Sequence, residues 1–250
     1  MDSAPHNLST NSTLEPLSPW VWHFELFCAI ALTLLSAIGI LGNLLSIVVF
    51  SHSHFRRLSI NILLIALSSA DMTLLILAVP VFSMAPLVLV VPQCPALPLI
   101  YTFAVAYGYP LVQMAQCASV WLLMAVTVER WAAVCRPLMV NEYFTRKRAV
   151  ITISIIVFMA VTYNFICFFE FRIDQNYRLQ PVLHLNKVYK LWKVTILYWA
   201  TTYIIPLTVL ILFNALVAKE IIHSQTVRKE MTVAQKGDQR TARMLLFVVL

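Results

Sequence analysis

From Met72 to Val128 the chain carries no Lys, Arg, Asp or Glu. Such a stretch cannot coat a water-soluble fold, because soluble domains keep about a quarter of their residues charged and hold them at the surface. Across the whole chain only 12% of 250 residues are charged and 60% are hydrophobic. The same balance excludes disorder, since disordered chains are poor in apolar residues, and a total of four glycines excludes a collagen-like repeat. The solvent for this chain is a lipid bilayer, and its architecture follows from the number of crossings.

A helix needs about 20 mostly apolar residues to cross the hydrocarbon. Candidate spans lie at about 24–50, 59–81, 100–131, 149–169 and 194–218. The long uncharged stretch divides because Pro80, Pro86, Pro92, Pro95 and Pro98 cluster within it, as helix breakers do in a connection. After Lys219 the sequence turns polar, and another apolar run opens at 243–250. That run makes only about 10 Å of helix against a hydrocarbon core of about 30 Å, so it is expected to be the incomplete start of a sixth span. Continuous apolar runs exclude an outer-membrane barrel, whose strands alternate over about ten residues. The expected fold class is an all-α membrane protein, with an N-terminal tail over 1–23 and a helical bundle over 24–250.

Charge sets the orientation. Five crossings divide the connections into two sets, and the set containing Arg56, Arg57, Arg130, Arg136, Arg146 to Arg148 and the stretch from Lys219 to Arg243 holds 13 of the 18 Lys and Arg residues. The positive-inside rule assigns that set to the cytosol and the N-terminus to the outside. The tail agrees, because Asn7-Leu8-Ser9 and Asn11-Ser12-Thr13 are glycosylation sequons that only the secretory lumen can use. The tail has no basic stretch followed by an apolar one, so the first span is expected to direct insertion. The net charge of +7 is then an orientation signal and implies no nucleic-acid partner.

Polar residues inside the spans are the informative ones, because they cost free energy. A carboxylate at the bilayer centre, such as Asp71, costs about 2.5 to 3.5 kcal/mol on insertion scales. Gly42-Asn43-Leu44-Leu45, then Asn61 with Leu64, Leu67, Ser68 and Asp71, then Val128-Glu129-Arg130-Trp131 and Val134-Cys135-Arg136-Pro137-Leu138, occur in that order on consecutive spans, with Pro206 in the fifth. This ordered set resembles the rhodopsin-like (class A) G-protein-coupled receptors, over the whole chain from the first span onward. Within that family, Gln116-Cys117-Ala118-Ser119-Val120-Trp121, Asn164-Phe165-Ile166-Cys167-Phe168-Phe169-Glu170 and Asn214 eight residues after Pro206 are similar to invertebrate FMRFamide-type neuropeptide receptors. A monoamine receptor is disfavoured, because that subgroup has an Asp where this chain has Val112.

The resemblance implies a seven-helix bundle that binds an extracellular neuropeptide, activates a heterotrimeric G-protein from the plasma membrane, and has no enzymatic activity. Glu129, Arg130, Trp131, Pro137 and Leu138 would form the ionic lock and G-protein surface, with Arg130 resting beside its acid in the inactive state. Asp71, Asn43 and Ser119 match the family's pocket for an allosteric sodium ion, and Pro206 its activation hinge. No other metal or cofactor is implied, and Cys28, Cys117 and Cys135 lack metal-like spacing. At about 100° per residue, Tyr109, Gln113, Gln116, Ser119, Thr127 and Arg130 form one polar stripe on the third span. The implied ligand is a short peptide with an arginine and an amidated aromatic end, and the arginine needs an acid. Glu170 is the first candidate and Asp174 the second, with Tyr109, Gln113, Gln116, Trp199 and Tyr203 as wall residues.

The chain also departs from the family. Where the third span's disulfide cysteine is expected it has Val105, and Arg172 to Lys193 contains no cysteine; Cys94 and Cys167 are the substitutes available on the oxidising side. The fourth span has no tryptophan. Ending in a sixth span, the chain as given is expected to be poorly stable and not to signal by itself, and a fragment that binds a partner is the alternative within the family. A transporter or channel is the alternative of another class, but it would show internal repeats or Gly-broken helices. A membrane enzyme would need converging reactive groups at membrane depth, where the spans offer Asp71 alone apart from Glu129 and Arg130.

Overall fold

The computed structural model describes residues 19–52, 58–90, 96–137 and 143–226. The sequons at Asn7 and Asn11, Cys94, Leu138 and the run 243–250 lie outside the described residues. Five helices are long and apolar enough to cross a membrane: α1 (Trp20–Ser51), α2 (Ser59–Pro86), α3 (Ala96–Cys135), α4 (Arg146–Phe169) and α5 (Lys187–Thr226). Between α4 and α5 a hairpin pairs β1 (Phe171–Ile173) with β2 (Leu179–Pro181), antiparallel, with Arg172 opposite Gln180.

All the helices but α2 begin earlier than the charge pattern suggests, and for α3 and α5 the local cause is plain. Pro98 falls in the first turn of α3, where its missing N–H would be unpaired in any case, so it opens the helix and does not break it. α5 starts at Lys187 because the Asn186 side chain accepts from the backbone N–H of Val188 at 3.0 Å and of Tyr189 at 3.3 Å. That cap draws Lys187, Lys190 and Lys193 into the helix. At the other side, Thr145 caps α4 by accepting from Arg148 N at 3.4 Å.

Three interior prolines each lie in or beside a wide, π-helical turn: Pro80 in Val79–Ser83, Pro110 just after Ala104–Gly108, and Pro206 just after Ala200–Ile204. A proline ring clashes with the carbonyl four residues back, and a widened turn relieves that clash without ending the helix. α2 therefore continues through Pro80 as far as Pro86.

α2 packs against α1 and α3, and α3 is the most buried of the five. Lipid gives helices no hydrophobic reason to associate, so contact rests on close van der Waals fit. Leu63 of α2, Leu122 and Val126 of α3 and Ala149 of α4 form the centre of that fit, joined by Leu67 and Ile153. Gly39 lets α1 approach so closely that a Cβ there would lie 2.7 Å from Leu75 Cδ1. The outward faces are apolar, with Leu34, Leu41, Phe158 and Ile211 exposed. In water that surface would aggregate; in a bilayer it meets acyl chains.

Candidate functional site

The stripe on α3 divides by position. Toward the hairpin, Tyr109, Gln113 and Gln116 line a cavity of about 550 Å³ between the helices. Gln113 Nε2 donates to Tyr109 Oη at 2.9 Å, and Tyr198 Oη lies 3.5 Å from Gln116 Oε1. In the middle, Ser119 donates to the Asp71 carboxylate. Thr127 is buried and donates to the Leu123 carbonyl of its own helix at 2.9 Å, and Arg130 at the far end is exposed.

Glu170 also lines the cavity and is only 2% exposed. It stands where the short 3-10 turn Phe165–Phe169 ends α4, and its carboxylate accepts from Tyr189 Oη of α5 at 2.6 Å. The hairpin is fixed above it: Val182 N donates to Glu170 O at 2.8 Å, Phe171 packs edge-on against Tyr109 at 5.9 Å, and the buried Thr102 hydroxyl lies 3.0 Å from Tyr177 O. Tyr177 occupies the left-handed region at φ 56°, an unusual conformation for a bulky residue, at the tight turn between the strands.

Asp174, the second acid expected at the ligand, belongs to that turn. Its carboxylate accepts from Gln175 N at 2.7 Å and Gln180 Nε2 at 3.3 Å, and it is exposed and outside the cavity lining. An aspartate commonly organises a turn in this way, by bonding the backbone just after it. Trp199 lines the cavity, but Tyr203 does not; its ring lies 5.1 Å from Trp199 and 5.8 Å from Tyr198, bracing two wall residues from behind.

The polar triad in the middle is two-thirds assembled. Asp71 and Ser119 meet, whereas Asn43 Nδ2 donates to its own helix at Gly39 O, 3.0 Å away. At the far end, Glu129 is 4% exposed and accepts from Ser59 of α2, while Arg130 is exposed at the end of the stripe. Adjacent residues on a helix point about 100° apart, so Glu129 leaves the stripe for α2 while Arg130 keeps the face of Ser119 and Thr127. Trp131 meets Phe213 of α5 edge-on at 5.1 Å, Pro137 is exposed, and Pro206 is buried in α5.

The family described as 7 transmembrane receptor (rhodopsin family) matches residues 42–250. The chain belongs to this family. It is a family of receptors, not enzymes, and the five apolar helices make this receptor a multi-pass membrane protein. The receptor is 34% identical over 216 residues to the FMRFamide peptide receptor frpr-18 of Caenorhabditis elegans, covering 83% of this chain and 49% of that protein. It is 28% identical over 238 residues to the FMRFamide receptor of Drosophila melanogaster, covering 89% of this chain and 42% of that one. The receptor thus spans less than half the length of these curated relatives.

Some cavity residues of the receptor escape sequence reasoning. Lys193, Asn164 and Tyr198 line the cavity, and Tyr189 reaches its acid. Lys193 and Tyr189 escape because the charge rule starts the fifth span after Lys193, whereas Asn186 is the capping signal for the earlier start. Cys167 is a buried free thiol at the cavity wall, and its expected substitute partner Cys94 lies outside the described residues.

Proposed function

We propose that this receptor binds a short extracellular neuropeptide of the FMRFamide type in the cavity beneath the hairpin and passes the signal along α3 to a heterotrimeric G-protein. The observation that carries this reading is the buried acid Glu170 facing a cavity whose polar walls include Tyr109, Gln113 and Gln116. A guanidinium is weakly hydrated and forked, and pairs with a carboxylate more readily than an ammonium does when both are withdrawn from water. The names of the two relatives support the same ligand class.

Transduction follows from one rigid element touching both ends. Gln113 and Arg130 lie about 25 Å apart along a helix rising about 1.5 Å per residue. Ligand contact at Gln113 and Gln116 biases the packing of α3 against α5, and Arg130, Trp131 and Pro137 form the surface offered to the G-protein as the helix ends part. Asp71 and Ser119 supply the hard oxygen donors that a sodium ion takes, and Asn43 would add its Oδ1, which its Nδ2 bond to Gly39 O does not occupy. The basic connections support a cytosolic Arg130 end and an N-terminus on the opposite side, where the sequons at Asn7 and Asn11 would carry glycans, and an extracellular peptide ligand requires residence in the plasma membrane.

The test is a cell line expressing the complete coding sequence, challenged with FMRFamide and read by calcium or cAMP. A saturable response that falls when Glu170→Gln is introduced is the expected result. No response to any arginine-containing amidated peptide, from receptor labelled at the cell surface, would overturn the reading.

A further inference from the structure

Lys193 is the cation of the cavity wall. Its Nζ donates to Tyr163 O at 3.0 Å and Asn164 Oδ1 at 3.3 Å, and sits 3.2 Å from the centroid of the Tyr163 ring. All three contacts are to neutral groups. The first exists because α4 gives way at Asn164 to a 3-10 turn, which leaves the last carbonyls of the α-helix without their usual N–H partners. The ammonium reaches them because it is carried on the wide turn Lys190–Leu197 of α5. An ammonium has three N–H donors: two are accounted for by these oxygens and the third meets the ring, a weak acceptor that a ligand oxygen can replace. Its countercharge in the cavity is Glu170, which acts on it electrostatically from the same lining.

We propose that Lys193 is a specificity determinant of the receptor, donating its remaining N–H to an acceptor oxygen at the ligand's C-terminal end while Glu170 takes the ligand's cation. The two charges of opposite sign on one cavity make it bipolar. It then selects a ligand with a guanidinium and a carbonyl or carboxylate oxygen close together, which an arginine next to the chain terminus provides. This rests on the peptide reading above and names which end of the peptide meets which wall.

The experiment compares FMRFamide with the same peptide ending in a free carboxylate, on the complete receptor and on Lys193→Gln and Lys193→Arg, with binding normalised to surface-labelled receptor. Lys193→Gln keeps a donor but removes the charge, so the amide should lose about tenfold in affinity and the free acid about a hundredfold, because only the acid loses an ion pair. Lys193→Arg should preserve the acid-to-amide ratio of the unaltered receptor. A packing role for Lys193 would weaken both peptides by the same factor, and that result, or no change at all, overturns the proposal. If the unaltered receptor binds neither these two nor any other arginine-containing amidated peptide, the peptide reading itself falls and this inference with it.

Discussion

Tyr189, two residues into α5, reaches back to Glu170 at the end of α4 and donates its hydroxyl at 2.6 Å. That bond closes the loop containing the hairpin and aims the carboxylate at the cavity. Tyr189→Phe leaves a buried acid short of a donor, which costs about 1 to 3 kcal/mol. A thermal melt of the detergent-solubilised receptor should fall by several degrees, and peptide affinity should fall with it.

Glu170→Gln should reduce affinity for an arginine-containing peptide by roughly a hundredfold, the scale of a charge-assisted bond. A peptide with citrulline in place of arginine should bind both forms of the receptor equally weakly. Equal losses for the two peptides would show that the acid holds the fold and not the ligand.

Ser119 gives Asp71 its donor from α3, so Ser119→Ala should destabilise the receptor by about 1 to 3 kcal/mol. If sodium also binds there, the melting temperature of the unaltered receptor should be higher in sodium chloride than in choline chloride. Ser119→Ala should abolish that difference, and a difference that survives would move the ion elsewhere.

Ser59 and Glu129 tie α2 to α3 at the Arg130 end, where the acid is buried. Ser59→Ala should lower the melting temperature, by an amount that Ser59→Thr restores because it returns the hydroxyl. The same cost is about 1 to 3 kcal/mol for a buried acceptor left unsatisfied.

A Cβ at Gly108 would lie 2.8 Å from Val81 Cγ2, and a β-branched side chain in a helix has little freedom to swing away. Overpacking of about 1 to 3 kcal/mol outweighs the gain of about 1 kcal/mol in helix propensity, so Gly108→Ala should be destabilising on balance. Adding Val81→Ala should recover part of the loss, and a double-mutant cycle on melting curves would measure the coupling.

The helices and the stripe on α3 were legible because a polar residue in lipid is costly enough to stand out from its neighbours. Asp71, Ser119, Gln113 and Gln116 could each be singled out on that ground alone. The hairpin was not legible, since strands of three residues are too short to show alternation. Asp174 looked like a ligand contact because composition cannot tell a turn-forming aspartate from a free one. Lys193 was excluded by the very rule that located the spans, which treats a charge as the end of a helix. Glu129 and Arg130 read as an ionic lock because the motif resembles the family's, and the bond from Ser59 to Glu129 was not legible because the two lie 70 residues apart in sequence. Family membership was legible from the order of the motifs, and the match over residues 42–250 agrees with it.

The wide turns Val79–Ser83 of α2 and Ala104–Gly108 of α3 touch one another. Each widened turn accommodates about one extra residue, which rotates everything beyond it by about 100° relative to an unbroken helix. Phe82 and Tyr109, at the edges of these turns, both line the cavity. Gaining or losing a single residue here would therefore rotate the outer ends, Met84 to Pro86 of α2 and Ala96 to Phe103 of α3, while leaving Gln113, Asp71, Glu129 and Arg130 in register. The two turns are a swivel joint between a half that can diversify and a half that cannot.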